Sequence, residues 1–177
     1  MHHIYLTGYR GTGKTSTGRL LARQLARPLI DLDARIEADS RRSIAEIFER
    51  DGEESFRDLE SDALAAVASQ AEPAVVALGG GAILRPQNRE RIASSGTCVW
   101  LDADPEVIAR RLAADQVDAV TQRPALTALG VVGEIRKVMA SRRSLYADAA
   151  DIHIDTSAGT LADLVERIVD ALGLEGG

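Results

Sequence analysis

The sequence predicts an α/β fold in which a five-stranded parallel sheet is covered by helices on both faces, giving three layers. Short apolar runs recur along the 177 residues and alternate with stretches of helical periodicity. Right-handed crossovers turn that alternation into a parallel sheet. The chain carries no internal repeat, low-complexity segment or linker, and its length suits one compact domain.

The first apolar run, Ile4-Tyr5-Leu6, leads into a glycine-rich loop. Residues 8–15 read Gly-Tyr-Arg-Gly-Thr-Gly-Lys-Thr, which fits the pattern G-x-x-x-x-G-K-[ST], and a helix is predicted over residues 16–26. Such a loop between a strand and a helix directs backbone N–H groups at phosphate oxygens. Lys14 would reach the β- and γ-phosphates, and the Thr15 hydroxyl would bind Mg²⁺. The residues predicted to hold the nucleotide are Gly11, Thr12, Gly13, Lys14, Thr15 and Ser16.

Two carboxylates follow the second predicted strand. Residues 28–30 are apolar and lead into Asp31-Leu32-Asp33. If the strand continues to Asp33, its period of two places both carboxylates on one side, at the sheet edge where α/β folds bind ligands. The alternative is that Asp33 only caps a helix over residues 34–38.

Two helices come next, and the second carries a candidate ligand-binding arginine. Ser43 and Glu46 form a capping box that starts the first helix, and Asp51-Gly52 ends it. Arg57 and Glu60 lie three residues apart on the second helix. Their spacing alone favours a solvated ion pair. The alternative is that Glu60 orients the planar Arg57 guanidinium toward a carboxylate ligand.

A run of three glycines follows the third predicted strand. Residues 75–78 lead directly into Gly79-Gly80-Gly81, and glycine at the carboxyl end of a strand permits close approach of the backbone to a ligand. A simple turn would rarely need three glycines. The fourth strand is predicted over residues 97–101, with Cys98 and Trp100 in the core.

Periodicity is lost over residues 114–124, after a helix predicted over residues 106–113. An irregular segment of this length beside a phosphate site predicts a mobile lid, and Arg123 would be the arginine that it carries. A helical region is predicted over residues 127–149, with a break near residues 130–133.

The chain ends with a strand and a helix. The strand is predicted over residues 152–154, and Thr160 is expected to cap a helix that runs to residue 172. Five strands are thereby predicted in all, each followed by a helical segment.

The composition limits the classes of partner. Acidic residues outnumber basic ones by 27 to 21, for a formal charge of −6, so neither nucleic acid nor an anionic membrane is expected. Cys98 is the single cysteine, which excludes an internal disulfide and fits a reducing compartment. We expect no signal peptide or membrane-spanning run, and therefore a cytoplasmic protein. His2 and His3 are expected to be terminal residues without a ligand role.

The spacings of these motifs together resemble those of shikimate kinases, small P-loop kinases related in fold to nucleoside monophosphate kinases. A phosphate loop alone would indicate only a nucleotide site, but its combination with the other motifs is specific, and the match covers nearly the whole chain. The resemblance rests on the phosphate loop, the Asp-Leu-Asp pair, residues 43–48, Phe56-Arg57, the triple glycine, Arg123-Pro124, and Arg142 before Leu145-Tyr146.

The resemblance implies an enzyme that phosphorylates the 3-hydroxyl of shikimate with ATP and Mg²⁺, in the biosynthesis of chorismate and the aromatic amino acids. It also implies the strand order 2-3-1-4-5. Within the single domain 1–177, it implies a substrate-binding helical insertion over about residues 33–62 and a lid over about residues 114–124. A monomer that binds only small molecules is expected.

The same resemblance implies a role for each site residue. Asp33 would bind ring hydroxyls beside the attacking oxygen. Arg57 and Arg142 would hold the substrate carboxylate, which reverses the preference that spacing alone gives for Arg57. Asp31 would hold Mg²⁺ through water, together with Thr15. The implied catalytic residues are Lys14, Asp33 and Arg123, and the implied substrate-binding residues also include Gly79, Gly80 and Gly81, with Phe48 and Phe56 as walls.

Several alternatives stay open at this point. Asp33 either accepts the hydroxyl proton or only orients the acceptor, and Arg10 either adds charge near the nucleotide or points to solvent. Residues 155–159 contain no arginine, so contacts to the base would be largely through the main chain.

Rival functions are a kinase for another small acid such as gluconate, a nucleoside monophosphate kinase, and a non-catalytic nucleotide-binding module. The triple glycine and Phe56-Arg57 argue against the two rival kinases. The presence of Lys14, Thr15, Asp33 and Arg123 argues against the non-catalytic module.

Overall fold

The computed structural model describes residues 2–115 and 130–174. Within them, five strands form one sheet in the order β2-β3-β1-β4-β5, and each pair of neighbouring strands is parallel. The predicted fold class and strand order are therefore confirmed. The strands are β1 (His3–Thr7), β2 (Leu29–Asp31), β3 (Val75–Ala77), β4 (Gly96–Asp102) and β5 (Ile152–Asp155).

Helices cover both faces of this sheet, as predicted. Helices α1 and α7 contribute to the core on one face, and α3, α4 and α6 contribute to the core on the other. The helices are α1 (Lys14–Gln24), α2 (Leu32–Ser40), α3 (Ile44–Ala68), α4 (Pro86–Ser95), α5 (Pro105–Asp115), α6 (Gly130–Ala149) and α7 (Leu161–Ala171), with a 3₁₀ turn at Ala82–Leu84.

The alternation of side chains along β1 explains the two cores. Ile4 and Leu6 lie in the core formed with α1 and α7, whereas Tyr5 lies in the opposite core with Cys98 and Trp100. Each fully buried aliphatic side chain contributes about 1.5–3 kcal/mol. The predicted core positions of Cys98 and Trp100 are thereby confirmed.

Local signals in the sequence set several helix ends. The predicted capping box at Ser43 and Glu46 is present, and Thr160 caps α7 with a second box formed with Asp163. Gly52, at a φ of 81°, interrupts the helical geometry of α3. The two predicted helices are therefore present as the two parts of α3 on either side of Gly52. Glycine permits the break because it adopts positive φ without strain.

Two predictions about the elements are wrong. Ala114 and Asp115 belong to α5 and not to the predicted lid, whose other residues, 116–124, lie outside the described residues. Gly133 lies within α6, so the break predicted near it is absent there. A glycine inside a helix costs only about 1 kcal/mol, and buried Ile135 packs this end of α6 against Ile108 and Ala103.

His3 also differs from the prediction, because it is buried in β1 and is not a loose terminal residue. Its Nδ1 accepts a hydrogen bond of 3.1 Å from the Ala74 backbone N–H. Over the two described ranges, no helix combines the length and the apolar composition needed to cross a membrane.

The fold brings the predicted site segments to one edge. In a parallel sheet all carboxyl ends lie on the same side, so the loop after β1, the acids after β2 and the glycines after β3 converge there. Strand β1 lies at the centre of the sheet, between β3 and β4. The phosphate loop is therefore next to the segment that follows β3.

Candidate active site

The glycine-rich loop runs from the end of β1 to the start of α1, as predicted. Gly8, Gly11 and Gly13 all adopt positive φ, and Gly13 is the N-cap of α1. A side chain on Gly8 would collide with the carbonyl oxygen of Leu101 on the neighbouring strand. The backbone at this position therefore requires glycine, and the amino terminus of α1 faces the space beside the loop.

Lys14 folds back across this loop. Its ammonium group donates to the carbonyl oxygens of Gly8 at 2.8 Å and Tyr9 at 3.0 Å. Burial lowers the pKa of Lys14 to about 8, although the carboxylates of Asp33 and Asp31 act in the opposite direction. The lysine is thus held at the mouth of the loop, where a bound phosphate would favour its charged form.

Asp31 connects the loop to the second strand. The Thr15 hydroxyl donates to its Oδ2 at 3.0 Å, and its Oδ1 accepts from the Ala34 backbone N–H at 3.3 Å. Asp31 is the last residue of β2 and the N-cap of α2. The strand therefore ends before Asp33, so the condition for a shared side of the strand is not met, and the alternative is also wrong because the helix cap is Asp31.

Asp33 lies in the first turn of α2. Burial and the nearby Asp31 carboxylate raise its pKa, against the influence of Lys14 and Arg57. Asp33 lines both a cleft of about 250 Å³ beside the phosphate loop and a larger cleft beyond it. The helix brings Asp33 to the junction of the two clefts even though the strand ends before it.

Arg57 and Glu60 form a buried pair, so the solvated pair that spacing alone favours is wrong. Arg57 Nη1 donates to Glu60 Oε2 at 2.7 Å, and the Glu60 side chain is 1% exposed. A second carboxylate, from Glu53, accepts from Arg57 Nη2 at 3.1 Å. Burial raises the pKa of Glu60, and Asp33 raises it further, while Arg57 lowers it. Among the described residues, Arg57 Nε and Glu60 Oε1 have no hydrogen-bond partner.

The triple glycine makes room for these charged groups. A Cβ on Gly79 would lie 2.6 Å from Glu60 Oε1 and 2.8 Å from Asp33 Oδ1, and one on Gly81 would overlap the Arg57 guanidinium. Such overlaps do not occur in folded proteins. The glycines therefore let two carboxylates and one arginine pack against bare backbone.

Helix α6 closes the site on the opposite side. Arg142 Nη1 donates to the Gly80 carbonyl oxygen at 3.2 Å, and the Tyr146 hydroxyl donates to the same oxygen at 2.6 Å. Arg142 lines the larger cleft, which has a volume of about 440 Å³ and also includes Arg10, Asp33, Ile44, Phe48, Phe56, Arg57, Val138 and the triple glycine. Three arginines and an aromatic wall thus line one cleft of small-molecule size.

Three further groups were missed by sequence reasoning. Arg111 on α5 donates to the carbonyl oxygens of Gly11 and Thr156, at 3.4 and 2.5 Å, and Thr156 donates to the carbonyl oxygen of Thr12 at 3.1 Å. They line a separate cleft of about 310 Å³ on the far side of the phosphate loop. The third group is Tyr146, which sequence reasoning placed in a motif without assigning it a role. The predicted catalytic residue Arg123 lies outside the described residues.

Comparison with known proteins gives the family. A family model described as shikimate kinase matches residues 10–173. A shikimate kinase of Rhodopirellula baltica is 47% identical over 169 residues, which span 96% of this chain and 89% of the relative. The chain belongs to the shikimate kinase family. A second relative, the shikimate kinase of Symbiobacterium thermophilum, is 41% identical over 170 residues and 95% of its own length.

A solved structure of the family agrees with the fold. It is described as shikimate kinase from Acinetobacter baumannii in complex with shikimate, and it is 32% identical with a TM-score of 0.86. The match covers 97% of this chain and 93% of that chain. The suspected membership of the shikimate kinase family is thereby confirmed.

Proposed function

We propose that this protein transfers the γ-phosphoryl group of ATP to the 3-hydroxyl of shikimate, giving shikimate 3-phosphate and ADP. One observation carries the proposal: the cleft beside the phosphate loop adjoins an arginine-bearing cleft, and Asp33 lines both. That arrangement brings a phosphoryl donor and a small carboxylate acceptor together. The Acinetobacter baumannii relative, whose structure contains shikimate, supports the identity of the acceptor.

The phosphate loop would hold the triphosphate of ATP. Backbone N–H groups of residues 11–16 lie at the amino terminus of α1, where anions are favoured. The cleft lined by Arg111, Thr156 and residues 158–161 would take the base. Arg111 is held by three acceptors, so its planar guanidinium is available for stacking while its N–H groups are occupied.

Lys14 and a bound Mg²⁺ would neutralise the phosphate charge. The Thr15 hydroxyl and the Asp31 carboxylate lie 3.0 Å apart, and such oxygen donors fit the preference of Mg²⁺ for a few protein ligands completed by phosphates and water. Thr15 would bind the ion directly and Asp31 through water. When bound, the ion would supply charge neutralisation for the phosphates, in addition to Lys14 and the loop N–H groups.

Asp33 would act on the acceptor hydroxyl. Its carboxylate lies where the two clefts meet, and its raised pKa makes it a stronger base than an exposed aspartate. Because phosphoryl transfer has a loose transition state, orientation of the hydroxyl contributes as much to this role as acceptance of its proton.

Arg57 and Arg142 would bind the shikimate carboxylate. Glu60 and Glu53 hold the Arg57 guanidinium in place, so little conformational entropy is lost when a ligand binds. Phe48 and Phe56 pack together at 4.8 Å between ring centroids and would form an apolar wall for the ring. The backbone of residues 79–81 would face the ring from the other side.

We assign Arg123, by its motif, to the transferring phosphoryl group. The lid, now limited to about residues 116–124, and the helical insertion over about residues 33–62 belong to the same single-domain proposal. A cytoplasmic monomer acting on small molecules, without nucleic acid or membrane as a partner, is consistent with the net charge of −6 and the single cysteine.

A coupled assay of ADP release tests the proposal. Purified protein with Mg·ATP would be given shikimate, gluconate, a nucleoside monophosphate or no acceptor. We expect release with shikimate alone. Release with gluconate in place of shikimate would contradict shikimate as the acceptor, and release with a nucleoside monophosphate would also contradict the carboxylate roles of Arg57 and Arg142. ATP binding without release would favour a non-catalytic module.

A further inference from the structure

The carbonyl oxygen of Gly80 accepts two hydrogen bonds from one helix. The Tyr146 hydroxyl donates at 2.6 Å and Arg142 Nη1 donates at 3.2 Å. The two donors are one helical turn apart on α6, so they lie on the same face. Gly80 is the central residue of the triple glycine, and its backbone forms part of the acceptor cleft.

Tyr146 is rigidly held at this position. Its side chain is buried, and its ring stacks on Trp100 of β4 at 5.7 Å between centroids and an angle of 14°. His153 of β5 stacks on the same indole at 4.1 Å. Burial also raises the pKa of Tyr146, so the hydroxyl stays protonated and donates across the working pH range. The sheet therefore positions this hydroxyl, since the Tyr146 ring packs on Trp100 of β4 and Trp100 is covered in turn by His153 of the edge strand β5.

Gly80 has no side chain whose contacts could fix the position of its backbone. Glycine is the residue with the most backbone freedom, and Gly80 has a glycine on each side. An added Cβ at Gly80 would lie 3.4 Å from the Gly8 carbonyl oxygen and 3.7 Å from the Arg10 backbone nitrogen. This segment therefore lies directly against the phosphate loop, at the border of the acceptor cleft.

We propose that Tyr146 is a positioning residue for the acceptor: its hydroxyl holds the Gly80 carbonyl, so that Arg142, the second donor to this oxygen, can turn its N–H groups to the shikimate carboxylate. The inference rests on the proposed function, because it assigns Tyr146 a role in that same site. Tyr146 lies behind Gly80 and Arg142 and acts through them, without touching the substrate.

The two donors explain the expected effect. In a Tyr146→Phe variant, Arg142 becomes the remaining donor in this pair to Gly80, so its guanidinium is drawn to the backbone and competes less well for a carboxylate. Loss of one net hydrogen bond is worth about 1 kcal/mol, which corresponds to about fivefold in affinity. The change should fall on shikimate and not on ATP, because the phosphate loop keeps its own contacts.

Tyr5→Phe is a matched control. Tyr5 is also a fully buried tyrosine of the same core, and its hydroxyl hydrogen-bonds Ser95 Oγ at 2.7 Å, outside the acceptor cleft. Both variants lose one buried hydroxyl and keep the ring. Thermal unfolding of the two variants should therefore show similar losses of stability, which separates a positioning effect from a general loss of packing.

The test measures KM for shikimate, KM for ATP and kcat in the wild-type protein and both variants, with shikimate affinity also measured by calorimetry. We expect Tyr146→Phe to raise KM and Kd for shikimate about fivefold, with kcat and KM for ATP changed less than about twofold, and Tyr5→Phe to leave all three near wild type. Unchanged shikimate constants in Tyr146→Phe, or an equal rise in Tyr5→Phe, would overturn the inference. A wild-type protein without shikimate-dependent ADP release would instead refute the proposed function, and this inference with it.

Discussion

The phosphate side and the acceptor side of the site are built in different ways. The phosphate side consists of consecutive residues, 8–16, whose shape follows from glycines at positive φ and the start of α1. The acceptor side is assembled from Asp33 on α2, Arg57 on α3, the glycines after β3 and Arg142 on α6. One half is therefore a property of a short segment, and the other a property of the whole fold.

The two sides also differ in how their charges are satisfied. Lys14 has hydrogen bonds to two carbonyl oxygens of its own loop. On the acceptor side, Arg57 Nε and Glu60 Oε1 are buried without a partner in the described part of the chain. Each unsatisfied buried group costs about 1–3 kcal/mol. The acceptor side therefore carries a cost in stability that the phosphate loop does not, which is typical of functional sites.

The largest expected effect is on the phosphate side. Lys14→Met removes the ammonium group that would neutralise charge on the transferring phosphoryl, and we expect kcat to fall about 10³-fold. The chain's other lysine, Lys137, is exposed on α6, so Lys137→Met is the matched control and should leave kcat unchanged. Steady-state ADP release measures both. Near-wild-type turnover in Lys14→Met would remove the loop from the mechanism.

Asp33→Asn tests the residue shared by the two sides. The amide keeps the shape but neither accepts the hydroxyl proton nor carries charge, so we expect kcat to fall about 10²-fold while ATP affinity, measured by calorimetry, stays within about threefold. Asp39→Asn on the same helix, where the carboxylate pairs with Arg35 in solvent, should retain full activity. Equal turnover in the two variants would place Asp33 outside the chemistry.

Arg57→Lys affects only the acceptor side. Lysine keeps the charge, but it cannot pair with Glu60 and Glu53 and at the same time present a planar fork to a carboxylate. The affinity for shikimate should therefore fall about tenfold, the expected loss for one charge-assisted hydrogen bond. Arg85→Lys is the control, because Arg85 also pairs with two acids of α3, Glu54 and Asp58, away from the cleft. If calorimetry gives the same shikimate affinity for both variants, the fork argument is wrong.

The smallest expected effect is a difference between the two sides in the pH dependence of kcat/KM. Lys14 must be charged, so kcat/KM for ATP should fall as pH rises through its pKa of about 8, by about twofold at that pH, because kcat/KM reports the free enzyme. Asp33 must be ionised, so kcat/KM for shikimate should fall as the pH is lowered. Because the pKa of Asp33 is raised, this fall should begin at a higher pH than for an ordinary aspartate. Profiles in which the alkaline limb appears for shikimate and not for ATP would contradict this assignment.

The same contrast explains what the sequence could predict. The phosphate loop, the capping boxes and the strand order follow from local pattern and from family resemblance, because the residues that decide them are close together or belong to known motifs. The N-cap role of Asp31 was not predicted, and Asp33 was considered for it only as an alternative, because the end of β2 depends on pairing with β3, which local spacing does not report.

The spacing of Arg57 and Glu60 likewise could not predict that the pair is buried. Exposed and buried pairs share the i, i+3 spacing, and only packing against Gly79 and Gly81 distinguishes them. Arg111 and Tyr146 act through backbone carbonyls of distant segments, Gly11, Thr156 and Gly80. Even where both partners belong to motifs, as Tyr146 and Gly80 do, the sequence does not report that they are in contact.

The position of the phosphate on the product tests the central claim most directly. Wild-type protein would be incubated with Mg·ATP and shikimate, and the product examined by ³¹P and ¹H NMR. The account predicts one phosphomonoester, coupled to the ring proton at carbon 3, in amounts equal to the ADP formed. A phosphate on another hydroxyl, or ADP accompanied only by inorganic phosphate, would contradict the placement of the acceptor between Asp33 and the two arginines.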